Sequence, residues 1–293
     1  MKLSNNLLTH GQNGKTKDKR PVILAKNTKL LSYPYIIWMI GFIIAPLLLI
    51  VFYGLTGKNG SFTMENVISI ANPVNRKALL LSLELSFIST IICLILAYPL
   101  ALILSKIKTK SNSFIIFIMI LPMWMNFLLR TIAWQNILEK TGVINNILNF
   151  LKLPTLNLIN TPGAIVLGMV YNFLPFMILP IYNSLIKIDK DIINAARDLG
   201  ANGIQTFIKI IFPLSLPGVI SGVTMVFVPS LTTFVISKIL GGSKIVLIGN
   251  IIEQQFGIGN WHAGSGLSLV LMIFIFLCMT ILTKYDKGEG NII

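Results

Sequence analysis

Apolar residues gather into long, nearly uninterrupted runs along this chain of 293 residues. A helix needs roughly 20 consecutive apolar residues to cross a bilayer core about 30 Å thick. The pattern therefore predicts an all-α integral membrane protein with six transmembrane helices. The predicted spans are Leu31–Tyr53, Ala78–Ser105, Ser113–Trp134, Pro162–Ile186, Gly218–Ser237 and Gly266–Thr283.

Polar segments frame this predicted membrane domain. Residues 1–30 form a basic N-terminal tail, residues 31–283 the six-helix domain, and residues 284–293 a short C-terminal tail. The N-terminal tail is too long and polar for the start of a secretory signal, and the apolar run after it is too long for a signal core. The first span is therefore interpreted as an uncleaved membrane helix.

The charges indicate how the chain is oriented. Only 12% of the residues are charged, against about 25% in soluble domains. With a cytoplasmic N-terminus, sixteen Lys and Arg residues fall inside the cell and seven outside. Cytoplasmic segments are enriched in Lys and Arg, so this asymmetry predicts a protein of the cell membrane with both termini cytoplasmic. It also explains most of the net charge of +14 without nucleic-acid binding.

The segment between the fourth and fifth spans, residues 187–217, contains two amphipathic stretches. Asp189 is typical of a helix N-cap, and Gly200 of the left-handed residue that ends a helix. Ile192, Ile193 and Ala196 give the first stretch an apolar face, which Leu199 extends. The second stretch, Phe207–Phe212, is predicted to end at Pro213. The pattern predicts a helix–turn–helix on the cytoplasmic side.

The polar face of the first predicted helix carries Asn194, Arg197 and Asp198 beside the small Ala195. A small side chain lets another protein approach the backbone, and neighbouring charges can fix its orientation. This face is a candidate docking surface for a soluble partner. An ordinary amphipathic connector would show the same periodicity, so periodicity alone leaves both interpretations open.

The residues of this segment resemble the EAA loop of ABC-importer permeases. The similarity lies in Asn194-Ala-Ala-Arg-Asp-Leu-Gly200, Ile210-Ile-Phe-Pro213 and Leu216-Pro-Gly218. In that family the loop seats in a groove of the ATP-hydrolysing subunit. Asn194 stands where the family usually has Glu, which keeps the polarity and loses the charge. The resemblance implies an ATPase-coupling role for Asn194, Ala195, Ala196, Arg197, Asp198, Gly200 and Pro213.

Three further stretches, 121–130, 168–177 and 240–250, are similar to the spermidine/putrescine (PotB-type) permease family. The resemblance implies a type I ABC-importer permease fold and import of polyamines. It also implies a second permease (PotC type), two ATP-binding subunits (PotA type) that hydrolyse ATP with Mg, and an external polyamine-binding protein (PotD type).

Catalytic signatures are missing from the sequence. Gly14-Lys15 is followed by Thr16 but lacks the upstream Gly of a nucleotide-binding loop, and Gly57-Lys58 lacks both the upstream Gly and the following Ser or Thr. We therefore expect a transport subunit that is not an enzyme and binds no cofactor or metal itself. Its energy comes from another subunit or from an ion gradient. A permease for another small solute and an ion-coupled secondary transporter stay open as alternatives.

Glu84 is the only acidic residue inside a predicted span. Charged groups inside a membrane face a cavity or a partner. In the predicted orientation Glu84 lies roughly 9 Å below the outer surface, at a depth comparable to that of Arg130. One hypothesis pairs Glu84 with Arg130, and the other places Glu84 on the path of a cationic substrate.

Polar and aromatic residues of the third and fourth spans are further candidates for that path, since aromatic faces attract ammonium groups. Packing and interfacial anchoring explain the same residues and are the favoured interpretation. The candidates beside Glu84 and Arg130 are Trp124, Asn126, Tyr171 and Asn172.

Two local patterns predict structure outside these candidate sites. Apolar residues recur at helical spacing in the outer loop 135–161, which predicts a short interfacial helix. Gly218 and Gly222 are spaced for a close helix crossing, although such a spacing also arises by chance.

Overall fold

The computed structural model of the chain describes residues 33–107, 121, 123–242 and 244–288. The predicted N-terminal tail and residues 113–120 of the predicted third span lie outside these residues, as does the end of the predicted C-terminal tail. The chain falls into two units, Met1–Leu49 and Ile50–Ile293.

The described residues fold into helices, with one isolated β-bridge between Thr56 and Phe62. The helices, numbered in chain order, are α1 (Tyr33–Leu55), α2 (Glu65–Ile68), α3 (Pro73–Lys106), α4 (Phe127–Leu138), α5 (Val143–Phe150), α6 (Pro162–Leu185), α7 (Lys190–Asp198), α8 (Gly203–Thr232), α9 (Val235–Leu240), α10 (Ile248–Gly257) and α11 (Trp261–Gly288).

Five of these helices, α1, α3, α6, α8 and α11, are long and apolar enough to cross a membrane. They confirm five of the six predicted spans, with shifted ends. Span five ends at Thr232 rather than Ser237, because the helix stops at Thr233 and Ser237 belongs to α9. Span six continues beyond Thr283 to Gly288, into the predicted C-terminal tail.

Among the predicted spans, the third agrees least with the structure of its described residues. Asn126 accepts hydrogen bonds from the backbone N–H groups of Leu128 and Leu129 and so begins a new helix, α4. This helix has 12 residues. At 1.5 Å per residue it is about 18 Å long, shorter than a bilayer core.

The core lies where α3, α6 and α8 pack together. Small residues bring α6 and α8 into close contact. A Cβ atom added at Gly218 would lie 2.5 Å from the Cβ of Ser184, and one at Gly222 would lie 2.8 Å from the Sδ of Met177. The predicted close crossing at these glycines is confirmed.

Hydroxyl groups are buried along α3 without breaking the helix. Ser82, Ser86 and Thr90 each donate to the carbonyl four residues earlier, at 2.6–2.8 Å. The Oγ of Ser82 also accepts from the N–H of Ile248, which satisfies the first turn of α10. Ser82 thus joins α10 to α3.

The loop after α4 contains the predicted short helix as α5. Its Asn145 is fully buried and donates from Nδ2 to the carbonyls of Glu139 and Leu156, at 3.1 and 3.0 Å. Its Oδ1 accepts from the N–H of Leu156 at 2.8 Å. One side chain therefore joins the two ends of this loop.

Candidate functional site

The candidate coupling site is α7 together with the first turns of α8, which we call the elbow (residues 189–215). The Asp189 carboxylate accepts from the N–H of Asp191 at 3.0 Å and caps α7 as predicted. Asp191 lies in the first turn, where a negative charge favours the positive end of the helix dipole.

The end of α7 is fixed by Gly200, which has φ +87°. The N–H of Gly200 donates to the carbonyl of Arg197 at 2.8 Å, and that of Ala201 to the carbonyl of Ala196 at 3.0 Å. A residue with a side chain rarely adopts this left-handed conformation, so glycine permits the sharp stop. The predicted helix end is confirmed.

One side of α7 is open to its surroundings. Asn194, Ala195, Arg197 and Asp198 are exposed, and Ala196 is buried at 8% exposure. Leu199 does not extend the packed apolar face as expected, because it leaves the helix as the C-cap residue and is 89% exposed. The exposed surface therefore includes an apolar side chain that the sequence assigned to the apolar face of the helix.

A second helix cap lies at the start of α8. The Oδ1 of Asn202 accepts from the N–H of Gln205, and the Oε1 of Gln205 accepts from the N–H of Asn202. This reciprocal pair rigidifies the turn between α7 and α8. The Asn-x-x-Gln spacing is the sequence signal that could have revealed it.

Pro213 does not end the second stretch as predicted. The helix continues through it to Thr232, because residues Phe207–Ile211 form a π-helical turn directly before it. Proline removes a backbone donor, and a wider turn accommodates that loss without ending the helix.

The elbow is held to α3 by Tyr98. Its hydroxyl lies 2.7 Å from the Oγ of Ser215 on α8. Its ring packs against Phe207 and Phe212, with ring centroids 5.6 and 5.8 Å away. Sequence reasoning missed this anchor, since no local pattern connects residues so distant along the chain.

Glu84 and Arg130, the charged candidates for a substrate path, do not form an ion pair in the described part of the chain. Glu84 is exposed on α3, whereas Arg130 is buried at 7% exposure. Arg130 belongs to α4, which packs on α5, α6 and α9 rather than along α3. Within the described residues, the buried Nε and Nη1 of Arg130 have no hydrogen-bond partner.

The structure brings only some of the remaining candidates together. Tyr171 on α6 makes an edge-to-face contact with Trp134 of α4, at 5.3 Å between ring centroids. The neighbouring Asn172 is buried and donates to the carbonyl of Gly168 at 2.8 Å. Trp124 is 77% exposed, and Asn126 serves as the cap of α4.

Other reactive groups do not assemble into a site within the described residues. No three His, Cys, Asp or Glu side chains there lie close enough to hold a metal ion. The ring Nδ1 of His262 lies 3.1 Å from the carbonyl oxygen of Tyr53, while His10 lies outside the described residues. Cys93 and Cys278 are free thiols.

The family of the chain follows from its sequence. Residues 28–285 match the family described as binding-protein-dependent transport system inner membrane component. This match covers most of the chain, so the protein belongs to that family and is the membrane component of a binding-protein-dependent transport system.

Individual relatives agree with this assignment. The spermidine/putrescine transport system permease protein PotB of Haemophilus influenzae is 37% identical over 260 residues, which cover 85% of this chain and 91% of that protein. PotB of Escherichia coli K12 is 38% identical over 259 residues, covering 85% of this chain and 94% of that protein. The resemblance to the PotB-type permeases is confirmed.

A solved structure supports the fold. A chain of a bacterial ABC transporter involved in the import of the acidic polysaccharide alginate superposes with a TM-score of 0.75 at 15% identity. The superposition covers 91% of this chain and 97% of that chain. The helices described above therefore form an ABC-transporter permease fold.

Proposed function

We propose that this chain is the membrane-spanning permease of an ATP-driven importer of polyamines such as spermidine and putrescine. The observation that carries the proposal is the elbow. A short helix, capped at both ends and anchored through Tyr98, presents an exposed surface beside the core. The polyamine substrate is supported by the names of the PotB relatives.

The elbow suits the transmission of force from a separate motor protein. Asn194, Ala195 and Asp198 are exposed and Leu199 adds an apolar contact, so the surface can seat in a groove. The remaining coupling candidates fix the shape of this surface or flank it: Ala196, Arg197, Gly200 and Pro213. Two conformations of an ATPase can move this surface only through contacts that differ between them.

The complete complex would contain a second permease of the PotC type, two ATPase subunits of the PotA type and an external binding protein of the PotD type. ATP and Mg would act in the ATPase subunits. This chain would then cross the cell membrane six times in a type I importer fold, with both termini in the cytoplasm. The Lys and Arg asymmetry supports that orientation.

Glu84 is the strongest candidate for substrate contact within the membrane. It is exposed on a membrane-spanning helix, and no ion pair engages it in the described part of the chain. A carboxylate attracts the ammonium groups of a polyamine, and the aromatic pair of Trp134 and Tyr171 offers a cation–π surface. Four residues remain candidates for the same path: Trp124, Asn126, Arg130 and Asn172. Asn126 and Asn172 rank lower, because Asn126 caps α4 and Asn172 bonds to the carbonyl of Gly168.

Cysteine labelling tests the position of the elbow. In a background with Cys93 and Cys278 replaced by Ala, we place one cysteine at Ala195 and, as a control on the opposite side, one at Asn149 of α5. A membrane-impermeant maleimide should label the Asn149 position on intact cells and the Ala195 position only after permeabilisation. Labelling of the Ala195 position on intact cells contradicts the coupling role.

Reconstituted transport tests the energy source and the substrate. Vesicles containing this chain, its partner permease, the ATPase subunits and the binding protein should take up labelled spermidine only with ATP, and putrescine should compete. Uptake driven by a proton or sodium gradient without ATP would identify an ion-coupled transporter instead. ATP-driven uptake of a different solute would keep the permease role and refute the polyamine assignment.

A further inference from the structure

A cavity of about 1200 Å³ opens where four helix ends meet beside the elbow. The C-terminal ends of α3 and α6 form one part of its wall, and α7 and the first turns of α8 form the rest. Both α3 and α6 are long enough to span the membrane, and both end at this cavity. The cavity therefore lies at a boundary between membrane and water.

The charged residues that line this cavity all have one sign. Lys106, Lys190 and Arg197 all line it, and no Asp or Glu is found among its lining residues in the described part of the chain. These three cations are exposed, and no ion pair engages them in the same part of the chain. Like charges gathered at one opening repel each other unless an anion lies between them.

The wall of the cavity is partly apolar. Leu102, Leu185 and Ile211 line it together with the three cations, and Ser105 and Thr206 add hydroxyl groups. A free phosphate or an acidic protein surface would gain nothing from the apolar wall. An amphiphile with an anionic head and hydrocarbon chains matches both parts, and basic pockets between membrane helices are suited to anionic lipid head groups.

We propose that this cavity binds the head group and upper acyl chains of an anionic phospholipid such as phosphatidylglycerol. The site goes beyond the transport role, and its assignment to the cytoplasmic leaflet rests on the proposed function. Arg197 and Lys190 belong to α7, so a bound lipid holds the elbow from the membrane side. Of the exposed docking surface, Asn194 lines the cavity, whereas Ala195, Asp198 and Leu199 do not line it and stay available to a protein partner.

The test compares two pairs of substitutions with the same change in charge. The cavity pair is Lys106→Gln with Lys190→Gln. The control pair is Lys187→Gln with Lys209→Gln, two exposed lysines of the same region that do not line the cavity. Native mass spectrometry of the purified full-length chain in its complex measures bound phosphatidylglycerol against phosphatidylcholine.

We expect the cavity pair to weaken phosphatidylglycerol binding by about fivefold for each cation removed, and the control pair to leave it near the original value. Equal losses in both pairs would mean attraction to the general surface charge and overturn the site. Displacement of the lipid by millimolar glycerol phosphate would assign the cavity to free anions. Loss of the ATPase subunits with lipid binding intact would assign it to protein docking.

This readout does not depend on transport. If the Ala195 position proves to be extracellular but the cavity pair still loses phosphatidylglycerol, the coupling proposal fails and the lipid site stands on the opposite leaflet. If labelling agrees with the elbow but both pairs bind lipid like the unmodified chain, only the lipid proposal fails.

Discussion

The hydroxyl groups of Tyr98 and Ser215 lie 2.7 Å apart, both buried, and join α3 to the start of α8. Ser215 donates its own hydrogen to the carbonyl of Phe212 at 2.9 Å. Tyr98 must therefore be the donor in the bond between the two side chains. Because the donor is assigned, substitutions of the two residues should differ in their effect on stability.

We expect Ser215→Ala to destabilise the protein more than Tyr98→Phe. Removing the serine leaves a buried tyrosine hydroxyl without a partner, which costs about 1–3 kcal/mol, whereas Tyr98→Phe leaves Ser215 bonded to Phe212 and costs about 1 kcal/mol. Thermal unfolding of the purified protein measures both. The double variant no longer has an unpaired tyrosine hydroxyl, so it should be more stable than Ser215→Ala alone. Additive losses of stability would contradict the assigned donor.

Replacement of Gly218 should prevent the packing of α6 on α8. Even in Gly218→Ala, the new Cβ would lie 2.5 Å from the Cβ of Ser184 and 2.7 Å from the carbonyl oxygen of Pro180. Overpacking of this kind costs about 1–3 kcal/mol. Membrane abundance and unfolding temperature should both fall, while Gly257→Ala, where the new atom meets open space, serves as the control. An unchanged unfolding temperature in Gly218→Ala would refute the tight crossing.

Substitutions at Gly200 measure the cost of its backbone conformation without any contribution from steric clashes. A side chain there meets open space, so its cost comes from φ +87° alone. Gly200→Val should cost about 1–2 kcal/mol and disturb the end of α7, whereas Gly200→Asn should be tolerated because Asn adopts this conformation more readily. Under the proposed function, stimulation of the ATPase should fall in the Val variant and persist in the Asn variant. Equal ATPase stimulation in the two variants would show that the conformation of the elbow has no part in coupling and would contradict the proposed role.

Asn145 should determine the stability of the loop between α4 and α6. Asn145→Ala leaves the carbonyls of Glu139 and Leu156 and the N–H of Leu156 without their partners, at about 1–3 kcal/mol for each group that stays buried. Hydrogen exchange at the Leu156 amide should become faster. Asn149→Ala, on the exposed side of the same helix, is the matched control and should leave that exchange unchanged.

The role of Glu84 is open to a direct test of uptake. Glu84→Gln should lower spermidine uptake at normal membrane abundance, since the carboxylate no longer attracts an ammonium group. Glu84→Asp should retain part of the activity. Glu65→Gln removes an exposed acid from the short helix α2 and should have no effect. Normal uptake by Glu84→Gln would exclude it from the substrate path.

Much of the architecture follows from local sequence. Apolar runs predicted six membrane helices, of which five are found in the described part of the chain. Asp189 and Gly200 predicted both ends of α7, because a helix cap depends on residues only a few positions away. The same logic failed at Pro213, where a π-helical turn carries the helix onward. Local rules also added Leu199 to the apolar face of α7, although it is the C-cap residue and is exposed.

The sequence by itself determined an all-helical membrane protein with a capped elbow, since segment length, apolar content and cap chemistry are local properties. Only the tertiary structure decided that Tyr98 bonds to Ser215, that Gly218 meets α6 and that Arg130 is buried without an ion pair to Glu84 in the described part of the chain. Those relationships depend on how distant helices pack. Packing register is set by the fit of many side chains at once, and no short stretch of sequence contains that information.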